Sequence, residues 1–545
     1  MQPSTLAKRV SFLLFLAVIA FYFYGLGHLP LVGPDEPRYA QVAREMLLRG
    51  DLITPTLGGH PWFEKPVLLY WLMMLSYKIF GFTEQAARLG PAVAGVLTVF
   101  AVYWLARRVE SMSDDNDLQR FGGWSALVTA TTLGIIVFSR GASFDILVTM
   151  TVAWSLAFFF VQELQANGRS RALFLVGFYV FVGLSLLAKG LVGLLPIGVV
   201  GSYFLLRRQI PSRRLLISLV WGIPLALAVA ALWYGPVTAR HGKLFIDQFI
   251  VQHHFVRYLS NKYHHPQPFF FYLLIIVPLT LPWTPFFLNG IARLRTFRWR
   301  SDSPIDRLQV FSFAWLLLPM VVFSLSTSKL PGYIVPVLPA ASLLAGERLT
   351  RFIATGTIGR GAMRAIGALS LLFAIGGIFY GKHFGTIPLP CALAIAAPPV
   401  IAGLFLLART RETTACAVLV ICSTVLSVII LLNCGVDKLA QRESVKHLIL
   451  TADARGYSGV RICSLYDLDQ SAHFYANGRL MYGLDSEPAK FGSPAEVLKA
   501  VQSNDGALLV LVPIDSVGQL TSLKEAKTEL IGDNGRMAMV AVRLR

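Results

Sequence analysis

The chain has 545 residues, 55% of them hydrophobic and 14% charged, with a mean hydropathy of +0.60. A soluble globular domain carries roughly 25% charged residues, so a chain this apolar cannot cover itself in water and is expected to be a polytopic membrane protein. The net charge of +19 is therefore read by location. Lys and Arg in short loops mark the cytoplasmic side, and cations left on the other face call for an anionic ligand.

Apolar runs of spanning length lie at 10–27, 88–106, 123–139, 146–164, 173–188, 190–206, 215–234, 269–291, 307–326, 335–350, 364–382, 389–408 and 414–433. A span takes roughly 20 residues. The first run has no small-residue cleavage site after it and reads as a signal anchor. The run "VLLYWLMMLSYKIFG" at 67–81 is short. If it spanned, Arg107 and Arg108 would fall on the same side as the 31–66 loop. If it lies along the surface, the basic loops gather on one face. These hold Lys8 and Arg9, Arg107 and Arg108, Arg169 and Arg171, Arg207 to Arg214, Arg293 to Arg300, Arg348 and Arg351, and Arg409 and Arg411. The segments 36–49 and 67–80 are thus expected to be juxtamembrane helices. About thirteen spans follow, with the N-terminus inside and the C-terminus outside.

After 433 charged residues return. Helix-like stretches at 443–454 and 493–503 alternate with strand-like runs "VRICSLY" (460–466), "ALLVLVP" (507–513) and "MAMVAVRL" (537–544). This predicts a membrane domain over 1–433 and a small α/β domain over 434–545 outside the cytoplasm. The five cysteines form no C-x-x-C pair, so neither a zinc knuckle nor a redox motif is indicated. Cys434 and Cys463 share the second domain, and their spacing does not show whether they meet.

With this topology the ionisable residues of the outer loops collect on one side. Ionisable groups at membrane depth are costly and point to function. The first loop carries Asp35, Glu36, Arg38 and Tyr39, then His60, Glu64 and Lys65 in "HPWFEKP". The second, "SRGASFDIL", holds Arg140 and Asp145. The third is "AKG" with Lys189. The fourth, expected as a long loop over 235–268, contains "VQHHFVRYLSNKYHHPQP" with Arg257. The fifth, "TSKLPGYIVP", holds Lys329 and Tyr333. Each has a bland alternative. Asp35 and Asp145 sit where a helix N-cap would, and Lys189 is placed to snorkel.

Acids beside cations suit a reaction in which a phosphate leaves and another nucleophile arrives. Lys and Arg hold phosphate oxygens by charge-assisted bonds and stabilise charge on the leaving group. A carboxylate orients an ammonium, removes a proton or stabilises an oxocarbenium-like centre. A lipid-linked phosphosugar fits, with its head at the interface and its tail in lipid. His254 and Glu64 are the candidate pair for a zinc ion. No metal is required by the reading, since no D-x-D that would argue for a metal-dependent nucleotide-sugar enzyme lies in these loops and there is no P-loop.

Together "PDEPRYA", "WFEKPVLLYW", "AKGLVGLLP", "HHFVRY…HHPQP" and "KLPGYIVPVLPAASLLAGERL" resemble the bacterial membrane glycosyltransferases of the GT-C fold. With the outer C-terminal domain, the chain looks most like the lipid A aminoarabinose transferases, relatives of the protein O-mannosyltransferases. The resemblance implies a mainly helical fold of about thirteen spans, a pentosyltransferase activity, an undecaprenyl-phosphate sugar donor, a lipid A or lipopolysaccharide acceptor, and a periplasmic active site in the inner membrane. It matches the first-loop acid to Asp35 and the "EKP" pair to Glu64 and Lys65. Asp35, Glu36 and Asp145 are the expected catalytic acids. Arg38, Tyr39, Glu64, Lys65, Arg140, Lys189, Arg257, Lys329 and Tyr333 are the expected substrate-binding residues. Membrane lipids are expected partners and nucleic acid is not. The same fold acting on protein hydroxyls or another glycan is the alternative. A transporter would predict mid-span charges and interrupted helices in matching halves, and a sensor would leave the loop acids unexplained.

Overall fold

The protein is seen in a computed structural model that describes residues 16–165, 169–259, 267–384, 387–483, 487–504 and 506–545. Among them, eight helices are long and apolar enough to cross a bilayer, or nine if one bent pair counts as a single span. The chain is a multi-pass membrane protein.

The expected apolar runs map onto this set with three informative differences. The 123–139 run is the bent pair, with its helices turned by 56° at Thr132. The 269–291 run also breaks, into Phe271–Leu279 and Thr284–Ala292, with prolines at 278 and 282. The two breaks satisfy each other. Leu133 N–H donates to Leu281 O at 2.8 Å, and the Trp283 indole donates to Thr131 Oγ1 at 2.8 Å. Irregular backbone at membrane depth is tolerated where protein supplies the missing partners. The third difference is 335–350, which starts as a 3-10 turn (Pro331–Val337) before the helix Leu338–Thr355. The start of the first run lies outside the described residues.

The expectation of a loop over 235–268 fails. The helix Arg213–Phe245 runs past 234, kinks at Gly242 (φ +50) and passes into a π-helical stretch, Ile246–Val256, and the turn Arg257–Leu259. The aromatics explain this, because Phe245 and Phe249 stack at 5.2 Å and both face Trp233. Residues 260–266 lie outside the described set.

Chain contacts divide the protein into two compact units. The first takes the chain up to Tyr24, Phe63–Leu69 and Arg88–Leu431. The second takes Gly25–Trp62, Tyr70–Ala87 and Leu432–Arg545.

The segments expected to be juxtamembrane are helices, Asp35–Arg49 in the second unit and Leu68–Phe80, which belongs to it from Tyr70 on. A short hairpin, β1 (Thr56–Leu57) with β2 (His60–Pro61), lies between them. The C-terminal sheet has β3 (Ile462–Leu465), β4 (Lys490–Phe491), β5 (Ala507–Pro513), β6 (Ala526–Asp533) and β7 (Met537–Leu544), in the order β4-β3-β5-β7-β6. Strands β3, β4 and β5 run parallel, and β7 pairs antiparallel with β5 and β6. The apolar β5 is buried on both faces, as its unbroken run suggests. Leu509 and Leu511 pack with Leu448 and Ile449 of the helix Lys446–Ala452, while Leu508, Val510 and Val512 pack with Val497 and Val501 of Pro494–Gln502. The sequence reading misses β6, whose "AKTELIGD" is a half-exposed edge strand. Cys434 is disulfide-bonded, whereas Cys463 is a buried free thiol, so the two do not meet.

Candidate active site

In the first unit, the break between two helices aims a lysine. The helix Arg169–Lys189 ends at Lys189, and Gly190 turns the chain at φ +61 into a 3-10 turn. The Lys189 ammonium forms a close ion pair with the Asp145 carboxylate and lies 4.9 Å from the centre of the Tyr333 ring. Its side chain is 11% exposed and that of Asp145 is 21%. This is an internal pair, and Lys189 does not snorkel. Asp145 is free for it because Ser143 caps the helix Phe144–Leu164, its hydroxyl accepting from Asp145 N–H at 3.0 Å. The cap reading of Asp145 is thereby corrected. Gly332 explains the close approach of the "KLPGY" turn, since a Cβ there would collide with the Asp145 carboxylate.

A second charged group in this unit centres on Glu64. Lys65 Nζ donates to Glu64 Oε1 at 3.1 Å, and Arg257 Nη1 lies 3.6 Å from the same oxygen. Arg257 also hydrogen-bonds Tyr333, which touches the Lys189 group. Burial pushes the Tyr333 phenol above its ordinary value, while Arg257 opposes the shift. The structure thus brings Glu64, Lys65, Arg257, Tyr333, Lys189 and Asp145 into one chain of contacts, drawn from five separated stretches of sequence.

Two other expected ligands are engaged elsewhere. Lys329 is buried, and its ammonium donates to the backbone carbonyls of Gln267 and Ser326. Arg140 donates to the carbonyls of Phe21, at 3.1 Å, and Tyr24. It ties the first apolar helix to the bent pair. The His254 side chain lies outside the described set. Among the described residues no group of three His, Cys, Asp or Glu could hold a metal ion.

In the second unit, Asp35 opens its helix but does not cap it. The N-cap position is Pro34 and no side chain caps the end. Asp35 instead pairs with Arg38 one turn on, at 2.8 Å, and remains 53% exposed. Arg38 also donates to Pro34 O at 2.7 Å and lies 5.7 Å from the Trp62 ring centre. Glu36 turns back to accept from Val32 N–H at 3.2 Å. Tyr39 is a buried residue beside the Trp62 and Tyr70 rings. The period of 3.6 residues explains the split, since Tyr39, Val42, Ala43 and Met46 face inward while Asp35 and Arg38 face out.

Several supporting residues escaped the sequence reading. Tyr475 Oη accepts from Leu31 N–H at 2.7 Å and donates to Glu84 at 2.9 Å, and Glu84 also binds Lys446. Glu45 accepts from Thr56 Oγ1 and from the N–H groups of Gly58 and Gly59, which latches the hairpin to the Asp35 helix. His473 is buried and bonds Tyr482 Oη at 2.8 Å; burial and the charge of Arg38 hold its pKa down near 3. Only the acid-rich pattern "DEPRYAQVARE" hinted at any of these, and only at Glu45.

Residues 64–234 match the family described as dolichyl-phosphate-mannose-protein mannosyltransferase. The chain is 34% identical over 366 residues to the undecaprenyl phosphate-alpha-4-amino-4-deoxy-L-arabinose arabinosyl transferase of Pseudomonas aeruginosa UCBPP-PA14, an alignment covering 67% of this chain and 63% of that one. It is 31% identical over 388 residues to the protein of the same name from Edwardsiella ictaluri, covering 68% and 65%. The chain thus spans just under two thirds of the length of these relatives. Its fold is that of the Cupriavidus metallidurans ArnT crystal structures. The TM-score is 0.74 for the form bound to undecaprenyl phosphate, at 22% identity over 97% of both chains, and 0.76 for the apo form, over 98% of both. By sequence and by fold alike, the chain is similar to the undecaprenyl phosphate aminoarabinose arabinosyl transferases.

Proposed function

We propose that the chain is a GT-C glycosyltransferase of the bacterial inner membrane. It moves 4-amino-4-deoxy-L-arabinose from undecaprenyl phosphate to a lipid A phosphate on the periplasmic side. The observation that carries this reading is the joined set Glu64–Lys65–Arg257–Tyr333–Lys189–Asp145, which offers three cations and two acids to a polar lipid head. The disulfide state of Cys434 fits a C-terminal domain in an oxidising compartment.

In the reaction, the bond between the sugar's anomeric carbon and the undecaprenyl phosphate oxygen breaks. A lipid A phosphate oxygen forms the new bond to that carbon, and undecaprenyl phosphate leaves. The acceptor is already anionic, so no base is needed to make it a nucleophile. Lys65 and Arg257 are assigned to the phosphate of the donor, where they stabilise the charge that builds as it leaves. Lys189 is assigned to the acceptor phosphate, with Asp145 as the residue that holds the lysine in place. Asp35, held by Arg38, is assigned to the ammonium group of the sugar. Lys329 and Arg140, engaged with backbone carbonyls, are given supporting roles.

Purified protein incubated with the undecaprenyl-phosphate aminosugar and lipid A tests the reading. Mass spectrometry should find the pentose on lipid A and free undecaprenyl phosphate as co-product. Transfer to a serine or threonine peptide, with lipid A untouched, would instead favour the protein-modifying alternative.

A further inference from the structure

We propose that the groove between the ends of the helices Leu195–Arg207 and Pro304–Ser324 binds the phosphate headgroup of an anionic bilayer phospholipid. The groove has a volume of about 870 Å³. Arg208 comes from the end of the first helix, and Arg298 and Arg300 from the turn before the second. Trp299, Leu205, Leu206 and Ser301 complete its wall, and among the described residues no acid lines it.

The basic residues around this end of the membrane domain fall into two kinds. Some are paired with an acid, among them Asp302, whose own side chain is 87% exposed. Arg207 is 1% exposed in its side chain and binds Asp302 at 2.9 Å and Tyr203 Oη at 2.9 Å. Arg307 binds Glu163 at 3.0 Å, and Arg351 binds Asp115 at 2.8 Å. Arg208, Arg298 and Arg300 are different. All three are exposed, and among the described residues none forms an ion pair. Arg298 also borders a second groove of about 510 Å³ that contains Asp114, Asp115 and Asp306.

A topological role needs only a count of positive charges near the span ends. It does not require that Arg208, next in sequence to a buried, acid-paired arginine, turn away through a left-handed backbone at φ +51 to join two arginines of another connection. Nor does it require the aromatic wall, where Trp299 sits 5.8 Å from Phe297 and 5.9 Å from Phe313. Leu205, 76% exposed, and Ile210, 87% exposed, extend the apolar surface beside the cations. Three guanidinium groups over an apolar surface match an anionic headgroup with its acyl chains alongside. Basic pockets between spanning helices bind such headgroups, and each cation contributes about 1 kcal/mol at an anionic membrane surface.

Full-length protein in neutral detergent, given equal amounts of phosphatidylglycerol and phosphatidylcholine with the same acyl chains, is followed by native mass spectrometry. One phosphatidylglycerol should remain bound under conditions that strip phosphatidylcholine, and excess glycerol phosphate should not displace it. Arg208→Gln, Arg298→Gln and Arg300→Gln should each weaken retention on the order of five-fold, and together on the order of a hundred-fold. The Arg409→Gln/Arg411→Gln variant, which removes basic charge from another loop, should retain the lipid. Equal retention of the two lipids by the unaltered protein would overturn the proposal without any variant. So would displacement by glycerol phosphate, or wild-type retention in a triple variant with a normal size-exclusion profile.

Discussion

The pairing of Lys189 with Asp145 makes a quantitative prediction. Lys189→Met keeps most of the side-chain volume but removes the ammonium, leaving the Asp145 carboxylate, 21% exposed, without its cation. Removing one partner of a fully buried pair costs about 3–5 kcal/mol. The residual exposure of Asp145 lowers this to about 2–3 kcal/mol, because water screens the orphaned charge. The lost contact between Lys189 and the Tyr333 ring adds about 0.5–1 kcal/mol. Asp145→Asn should destabilise for the mirror reason. The double variant leaves no unpaired charge, so it should recover about 1–2 kcal/mol of the summed single costs. Unfolding of the four proteins in detergent measures that coupling directly. Single costs that add to within about 0.5 kcal/mol would mean that the two groups do not meet, and the geometry proposed for the acceptor site would fall with them.

Asp35→Asn should cost less than about 1 kcal/mol, because Asp35 caps nothing and its pair with Arg38 is exposed, while turnover drops by about a hundred-fold or more if its charge holds the sugar; near-normal turnover in the folded variant would remove Asp35 from the reaction. Tyr475→Phe frees Leu31 N–H and Glu84 from their shared hydroxyl, so it should cost about 1–2 kcal/mol. An unfolding midpoint equal to that of the unaltered protein would show that this hydroxyl does not hold the two groups. His473 has a folded pKa near 3 against an ordinary value of 6.5, so the unfolded chain takes up its proton first as pH falls. Stability is full above about 6.5 and declines as pH drops toward 3, by about 2 kcal/mol at pH 5. A thermal midpoint just as pH-sensitive in His473→Gln would show that other groups set that slope.

What could be read from the sequence was whatever is encoded locally. The apolar runs at 146–164 and 389–408 and the strands at 507–513 and 537–544 are long or continuous enough to dictate their own structure, and they lie where their patterns put them. The break within 269–291 depends on Leu281 O meeting Leu133 N–H, a partner remote in sequence. The helix past 234 depends on the Phe245–Phe249–Trp233 stack, which a histidine-rich stretch disguises as a loop. At the candidate site, residue type identified the participants but not their partners. Nothing near Lys189 says that Asp145 will neutralise it. Nothing near Lys329 says that two backbone carbonyls will take its ammonium. The Tyr475 contact with Leu31 crosses 444 residues of sequence. Short-range pattern carries no trace of such a bond.

The most direct test of the proposed activity is the lipid A of cells that lack any other aminoarabinose transferase and carry either this chain or its Asp35→Asn form. Mass spectrometry should show a 4-amino-4-deoxypentose on a lipid A phosphate with the unaltered chain and none with the variant. Identical, unmodified lipid A from both strains, with the donor lipid present in each, would contradict the assignment of lipid A as the acceptor.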